Sequence, residues 1–146
     1  MNRKPMLDPN FETRVRESFA RQAFFRTLGA ELSSVRHGEV EITAPFDCRF
    51  TQQDGFLHAG TVTAMVDTAC GYAAHSTMPS DSRVLSVEFK LNLLAPAVGD
   101  RFLARGSVIK SGRTLTICRG EFFSLKDGEK RLTAVMQATM MCLMER

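Results

Sequence analysis

One stretch constrains the fold of this chain more than any other. Residues 60–72, GTVTAMVDTACGY, hold a single charge, Asp67, in a run with no proline. Val62, Met65, Val66, Ala69 and Ala73 recur at helical spacings and predict one buried stripe. The other side, Gly60, Thr63, Ala64, Asp67, Gly71 and Ala74, is small throughout except for the carboxylate. A solvated helix face would carry Lys, Glu and Arg, so this face suits close approach by another backbone or a ligand. Asp67 is costly to bury there. It is therefore either a structural carboxylate satisfied by neighbouring donors or a candidate for chemistry.

The start of the same helix favours chemistry. Its first turn offers free backbone N–H groups and the positive end of the helix dipole near Ala59 and Gly60. Small residues there let a ligand oxygen come within hydrogen-bonding distance. That is an oxyanion hole in outline.

His58-Ala59-Gly60, followed by Asp67 nine residues after the His, resembles the His-Gly-Gly-x6-Asp signature of the PaaI-like hotdog-fold acyl-CoA thioesterases. The likeness runs through TQQDGFLHAGTVTAMVDTACGYAAHS and into VLSVEFKLNLLAPAVGD, and the element order fits nearly the whole chain. Two departures stand out. Ala59 replaces the first Gly of the pair, and Gln52 stands where many relatives place Asn. The family's oxyanion contact comes from a backbone N–H, which Ala also provides. Gln keeps the same amide chemistry one methylene further out.

At 146 residues the chain is expected to form one domain over residues 1–146, with residues 1–7 loose. Its net charge of +3 arises in the N-terminal quarter, and no Lys/Arg stripe with interleaved aromatics points to nucleic acid. Cys48, Cys70, Cys118 and Cys142 are widely spaced beside apolar segments, so buried reduced thiols are expected rather than disulfides or a metal site. His37, His58 and His75 lack zinc-ligand spacing. With no apolar run long enough to span a membrane, a cytoplasmic protein is expected.

Before the central helix, Asp8-Pro9 reads as the opening of one helix to about Leu28, stopped by Gly29. Phe11, Val15, Phe19 and Ala23 form its apolar stripe, widened by Phe24, Phe25 and Leu28, with Arg14, Glu17 and Arg21 facing water. Two short strands follow near 30–36 and 39–45 around a His37-Gly38 turn, then a polar loop over 46–57. After the central helix, Leu85, Val87, Phe89, Leu91 and Leu93 alternate with polar residues, and this apolar face is expected to cover the helix. Ser86 then falls on the face toward water by default, although it aligns with a hydroxyl that assists catalysis in some PaaI-like relatives. Strands near 101–110, 113–124 and 131–143 complete the chain, joined by turns at Ser111-Gly112 and Asp127-Gly128. Methionines on the last strand read as core or interface.

This order gives an α+β fold, with a curved antiparallel sheet wrapped around a central helix and an additional N-terminal helix. It matches the hotdog fold that the resemblance implies. The resemblance further implies hydrolysis of an acyl-CoA thioester, with the oxyanion at the Ala59 N–H and a further contact from Gly60 open. Asp67, from the other subunit, acts as general base or nucleophile. Gln52 and Ser86 position the attacking group, His58 orders the helix start, and neither metal nor cofactor is needed. Phe50, Phe56 and Tyr72 are candidates for the acyl pocket, and Lys110 and Arg113 for the CoA phosphates. A homodimer, or a dimer of dimers, is expected. Two other functions stay open at this level: a non-catalytic acyl-CoA-binding module, and an acyl-thioester hydratase or dehydratase.

Overall fold

The computed structural model describes residues 8–144; the expectation of a loose segment at 1–7 lies outside them. Helix α1 (Phe11–Ala20) and helix α2 (Ala23–Leu28) precede strands β1 (Glu31–Arg36) and β2 (Glu39–Pro45). A short 3-10 turn at Cys48–Phe50 leads to the central helix α3 (Ala59–His75). Strands β3 (Ser82–Leu93), β4 (Arg101–Ser111), β5 (Leu115–Lys126) and β6 (Glu129–Met144) follow. All six strands join in one antiparallel sheet of order β1-β2-β4-β5-β6-β3, curved around α3. This is the hotdog arrangement. Among the described residues no helix is long and apolar enough to cross a membrane.

The predicted stripe of α3 is the core. Met65, Val66, Ala69 and Ala73 have no exposed surface, and Val62 almost none. The helix lies unusually close to the sheet because two glycines face each other beneath it. Gly106 of β4 pairs with Gly120 of β5. An added Cβ at Gly106 would collide with the Ala69 backbone, and one at Gly120 with the Val66 side chain. The hairpin between β5 and β6 closes through Asp127 and Gly128, both at positive φ (51° and 78°). That pair of angles defines the type I′ turn that suits strand twist.

The single N-terminal helix predicted over 8–28 is in fact two. Helix α1 ends at Ala20 with Arg21 as its C-cap, and Gln22 is extended with ψ 104° before α2 begins. Six residues along a continuous helix would leave Phe25 about 120° around the axis from Phe19. The break brings both rings together, 5.2 Å apart and both buried. Phe24 is left half exposed and Ala23 exposed, so neither extends the stripe. Arg14 also departs from expectation. It turns away from water to donate to the carbonyls of His75 and Met78 at 3.1 and 3.0 Å, and pairs with Asp8. Cys48 is exposed, whereas Cys70 and Cys118 are buried as expected.

Strand β3 overturns the clearest alternation in the sequence. Its register slips between Ser86 and Glu88. Before the slip Ser86 stands opposite buried Met140, and after it Phe89 stands opposite buried Ala138. A bulge of one residue reverses which side chains face the helix. Ser86 therefore points to α3 and Leu85 away from it. Because β3 is also the sheet edge, Leu85, Val87, Phe89 and Leu93 remain 45–55% exposed instead of covering α3.

Candidate active site

Asp67 sits midway along α3, half buried, facing the bulged segment of β3. The Ser86 hydroxyl donates to its Oδ1 at 2.7 Å. Burial raises the Asp67 pKa above the ordinary 3.8, and the Ser86 hydrogen bond opposes that rise. The carboxylate opens into a cavity of about 480 Å³. Thr68, Gly71, Tyr72 and His75 of α3 line it with Val84 and Ser86 of β3, and Arg14, Ser18 and Gln22 close it from the N-terminal helices.

A second cavity, of about 410 Å³, lies at the start of α3. Gln52, Phe56 and Ala59 line it together with Leu93, Leu94 and Pro96. His58 is the N-cap of the helix, and its Nδ1 accepts the Gly60 N–H at 2.8 Å. The His58 backbone N–H reaches the Phe50 carbonyl, and its own carbonyl accepts from Thr61 and Val62. Nδ1 must therefore carry a lone pair, which leaves the proton on Nε2. An added Cβ at residue 60 would lie 3.0 Å from that Nδ1, so the glycine makes room for the cap.

This cap corrects one expectation. The Gly60 N–H is already engaged and cannot share in an oxyanion contact while His58 holds it. The Ala59 N–H has no partner among the described residues. Gln52 lies beside it, its backbone N–H bonded to the Phe56 carbonyl and its side-chain oxygen to the Asp54 N–H. Of the two placements open for Ser86, the default one toward water is corrected, since its hydroxyl donates to Asp67.

The structure divides the remaining candidates. Tyr72 belongs to the Asp67 cavity and Phe56 to the Ala59 cavity. Phe50 packs against the core and lines neither cavity. Lys110 and Arg113 are exposed on the β4–β5 hairpin, away from both cavities of one chain. Sequence reasoning missed the N-terminal contribution. Arg14, Ser18 and Gln22 look like ordinary polar-face residues of a helix, and only the packing of α1 over the end of α3 turns them inward. It also missed the apolar lining from Leu93 to Ala97, read simply as the end of a strand.

Asp67 and Ala59 are eight residues apart on one straight helix, about 12 Å along its axis. No single carbonyl group reaches both within one chain. The two cavities open beside different ends of β3.

The thioesterase superfamily model matches residues 54–130, which include Ala59, Asp67 and Ser86. The structure of a thioesterase family protein from Silicibacter pomeroyi superposes with a TM-score of 0.91 at 49% identity, over 92% of this chain and 99% of that one. A provisionally assigned esterase of Saccharolobus solfataricus is 28% identical over 110 residues, 75% of this chain and 76% of its own. The PaaI protein of the E. coli phenylacetic acid degradation operon shares the fold, with a TM-score of 0.83 at 17% identity, covering 94% of this chain and 96% of that one.

Proposed function

Because the chain belongs to the thioesterase superfamily and is a thioester hydrolase, we propose that it cleaves acyl-CoA thioesters to the free acid and CoA. The observation that carries this reading is the pair of cavities, read as half-sites. One holds a half-buried carboxylate with a hydroxyl to orient it, and the other holds an N–H at a helix start with no partner among the described residues. In the proposed complex the thioester oxygen accepts a hydrogen bond from the Ala59 N–H. Asp67 takes a proton from a water that attacks the carbonyl carbon, or attacks the carbon itself. Collapse of the tetrahedral adduct breaks the C–S bond and releases the CoA thiolate, which takes up a proton; on the direct route the acyl group stays on Asp67 as a mixed anhydride, which a water then hydrolyses to the free acid and the restored carboxylate. Ser86 aims the carboxylate, and Gln52 positions the attacking group through its amide. Neither route calls on a metal or redox cofactor.

A homodimer would complete the site. The exposed apolar edge of β3 invites pairing with a second copy, and such an edge is a liability if left open. Val84 and Ser86 border the Asp67 cavity, whereas Leu93 and Leu94 border the Ala59 cavity. A two-fold, antiparallel pairing centred near Phe89 would bring the Ser86 end of one strand against the Leu93 end of the other. Asp67 of one protomer would then approach Ala59 of its partner. A dimer of dimers is compatible with the same edge pairing. Four free cysteines are in keeping with a cytoplasmic enzyme.

The hydratase alternative loses support from His58, whose Nδ1 is committed to capping the helix. A panel of acyl-CoA esters assayed for thiol release tests the proposal. Turnover of at least one ester, reduced about a hundredfold or more in Asp67→Asn, is the expected result. Tight acyl-CoA binding without thiol release would make the chain a binding module instead.

A further inference from the structure

The loop ahead of α3 is a tight hairpin. Thr51 bridges to Leu57, the Gln52 N–H donates to the Phe56 carbonyl at 2.8 Å, and the Gly55 N–H donates to the Gln52 carbonyl at 3.1 Å. Gly55 closes the turn at φ 85°, the left-handed conformation that such a short hairpin loop requires. Gln52, at the base of this loop, lines the Ala59 cavity. Asp54, at its tip, is exposed and lines neither cavity.

A side-chain amide has an oxygen end and an NH2 end of similar size, and a half-turn about its last bond exchanges them. Residue 54 removes that freedom by meeting both ends of Gln52. Its backbone N–H can only donate, so the atom it meets is the amide oxygen, which is thereby turned to the loop backbone. Its carboxylate, as an ion, can only accept, and Oδ2 lies 3.5 Å from Gln52 Nε2. The exchanged orientation would set NH2 against an N–H and a carbonyl oxygen against a carboxylate. Gln53 Nε2 donates to the same Oδ2 at 3.2 Å and steadies the carboxylate. Gln52 Nε2 carries two hydrogens, and Asp54 alone accepts from it among the described residues. One N–H of the amide is left for the site.

We infer that Asp54 is a positioning residue for thioester cleavage, clamping the Gln52 amide so that Gln52 serves the reaction as a hydrogen-bond donor. This rests on the thioester reading above and on the place given there to Gln52. Asp54 acts through Gln52 alone. Because the clamp is open to solvent, its carboxylate half is worth a modest factor, about three- to tenfold in kcat.

A double-mutant cycle tests the inference, run on whichever acyl-CoA ester the parent protein cleaves fastest. Asp54→Ala keeps the backbone N–H but removes the carboxylate, so kcat should fall about three- to tenfold while KM stays within about twofold. Asp54→Asn, whose side-chain oxygen still accepts from Nε2, should recover most of that loss. Gln52→Ala should lose about tenfold or more, and adding Asp54→Ala to it should cost nothing further. A loop that merely folds less well would lose the same factor in either background. Losses that multiply, or an Asp54→Ala protein with the parent's kcat, would therefore overturn the positioning role. Gln52→Glu keeps an oxygen for the Asp54 N–H but has no N–H of its own, and it should be as slow as Gln52→Ala. Parental turnover in either Gln52 variant would overturn the donor role while leaving thioester hydrolysis intact. If the parent protein releases thiol from no ester, the underlying reading fails first and this inference with it.

Discussion

The hydroxyl of Ser86, on the edge strand, donates to the carboxylate of Asp67, on the central helix, across 2.7 Å. The bulge in β3 creates this contact, since an unbroken alternation with Phe89 and Leu91 inward would also turn Ser86 away from the helix. The bond stabilises the charged form of a carboxylate that burial pushes toward the neutral one.

Activity should therefore depend on pH through Asp67. The group works as a carboxylate, so turnover should rise with pH through a midpoint above the ordinary 3.8. Ser86→Ala removes the bond that holds the pKa down. Its acid limb should move to still higher pH, with a fall in kcat of about tenfold. An acid limb unmoved in Ser86→Ala would separate the hydroxyl from the titrating group.

Stability should show the same linkage with the opposite emphasis. A carboxyl whose folded pKa is raised favours the folded state below its unfolded pKa of 3.8 and loses that contribution as pH rises through the folded value. Asp67→Asn should thus gain stability over the parent at neutral pH, and the gain should shrink toward pH 3. Urea unfolding of both proteins across that range measures the difference.

The helix start makes a separate prediction. Ala59→Gly keeps the free N–H and should retain activity within roughly tenfold, whereas Ala59→Pro deletes it and should lose about a hundredfold or more. Co-expressing Ala59→Pro with Asp67→Asn should recover activity that neither homodimer has, because both lesions fall in one shared site and leave the other whole. Heterodimers that form yet stay inactive would rule out sharing between chains.

The sheet edge can be tested by charge. Val87→Lys or Phe89→Glu places a charge where the exposed apolar edge would pair with its copy. Sedimentation should show monomer for either variant against dimer for the parent, with activity lost in parallel. A fully active monomer of the parent chain would remove the need for the edge.

Beneath the central helix, Gly106→Ala should cost about 3 kcal/mol through overpacking, since its Cβ would fall on the Ala69 backbone, which has no rotamer to yield. Thermal unfolding should register a drop on the order of 10 °C.

The central helix was legible in the sequence because its signal is local. A run of apolar and small residues with one charge specifies a buried helix whatever surrounds it, and His58, Ala59 and Asp67 are fixed relative to one another by helical geometry alone. The hairpins were legible for the same reason, since Asp127 and Gly128 carry their own turn chemistry. What failed was information held between elements. The alternation of β3 gave no sign of a bulge, because a bulge is set by the register of the neighbouring strand; so Ser86 was turned to water and the apolar face to the helix. The break at Gln22 is set by where Phe19 and Phe25 must pack, and it alone carries the Gln22 amide to Tyr72. The engagement of the Gly60 N–H by His58 likewise depends on a side-chain rotamer that no spacing rule specifies. Sequence determined which residues could do chemistry, through their type and position on a helix. Tertiary structure decided which of them meet, because a contact between β3, α3 and the N-terminal helices depends on register and packing that no single segment encodes.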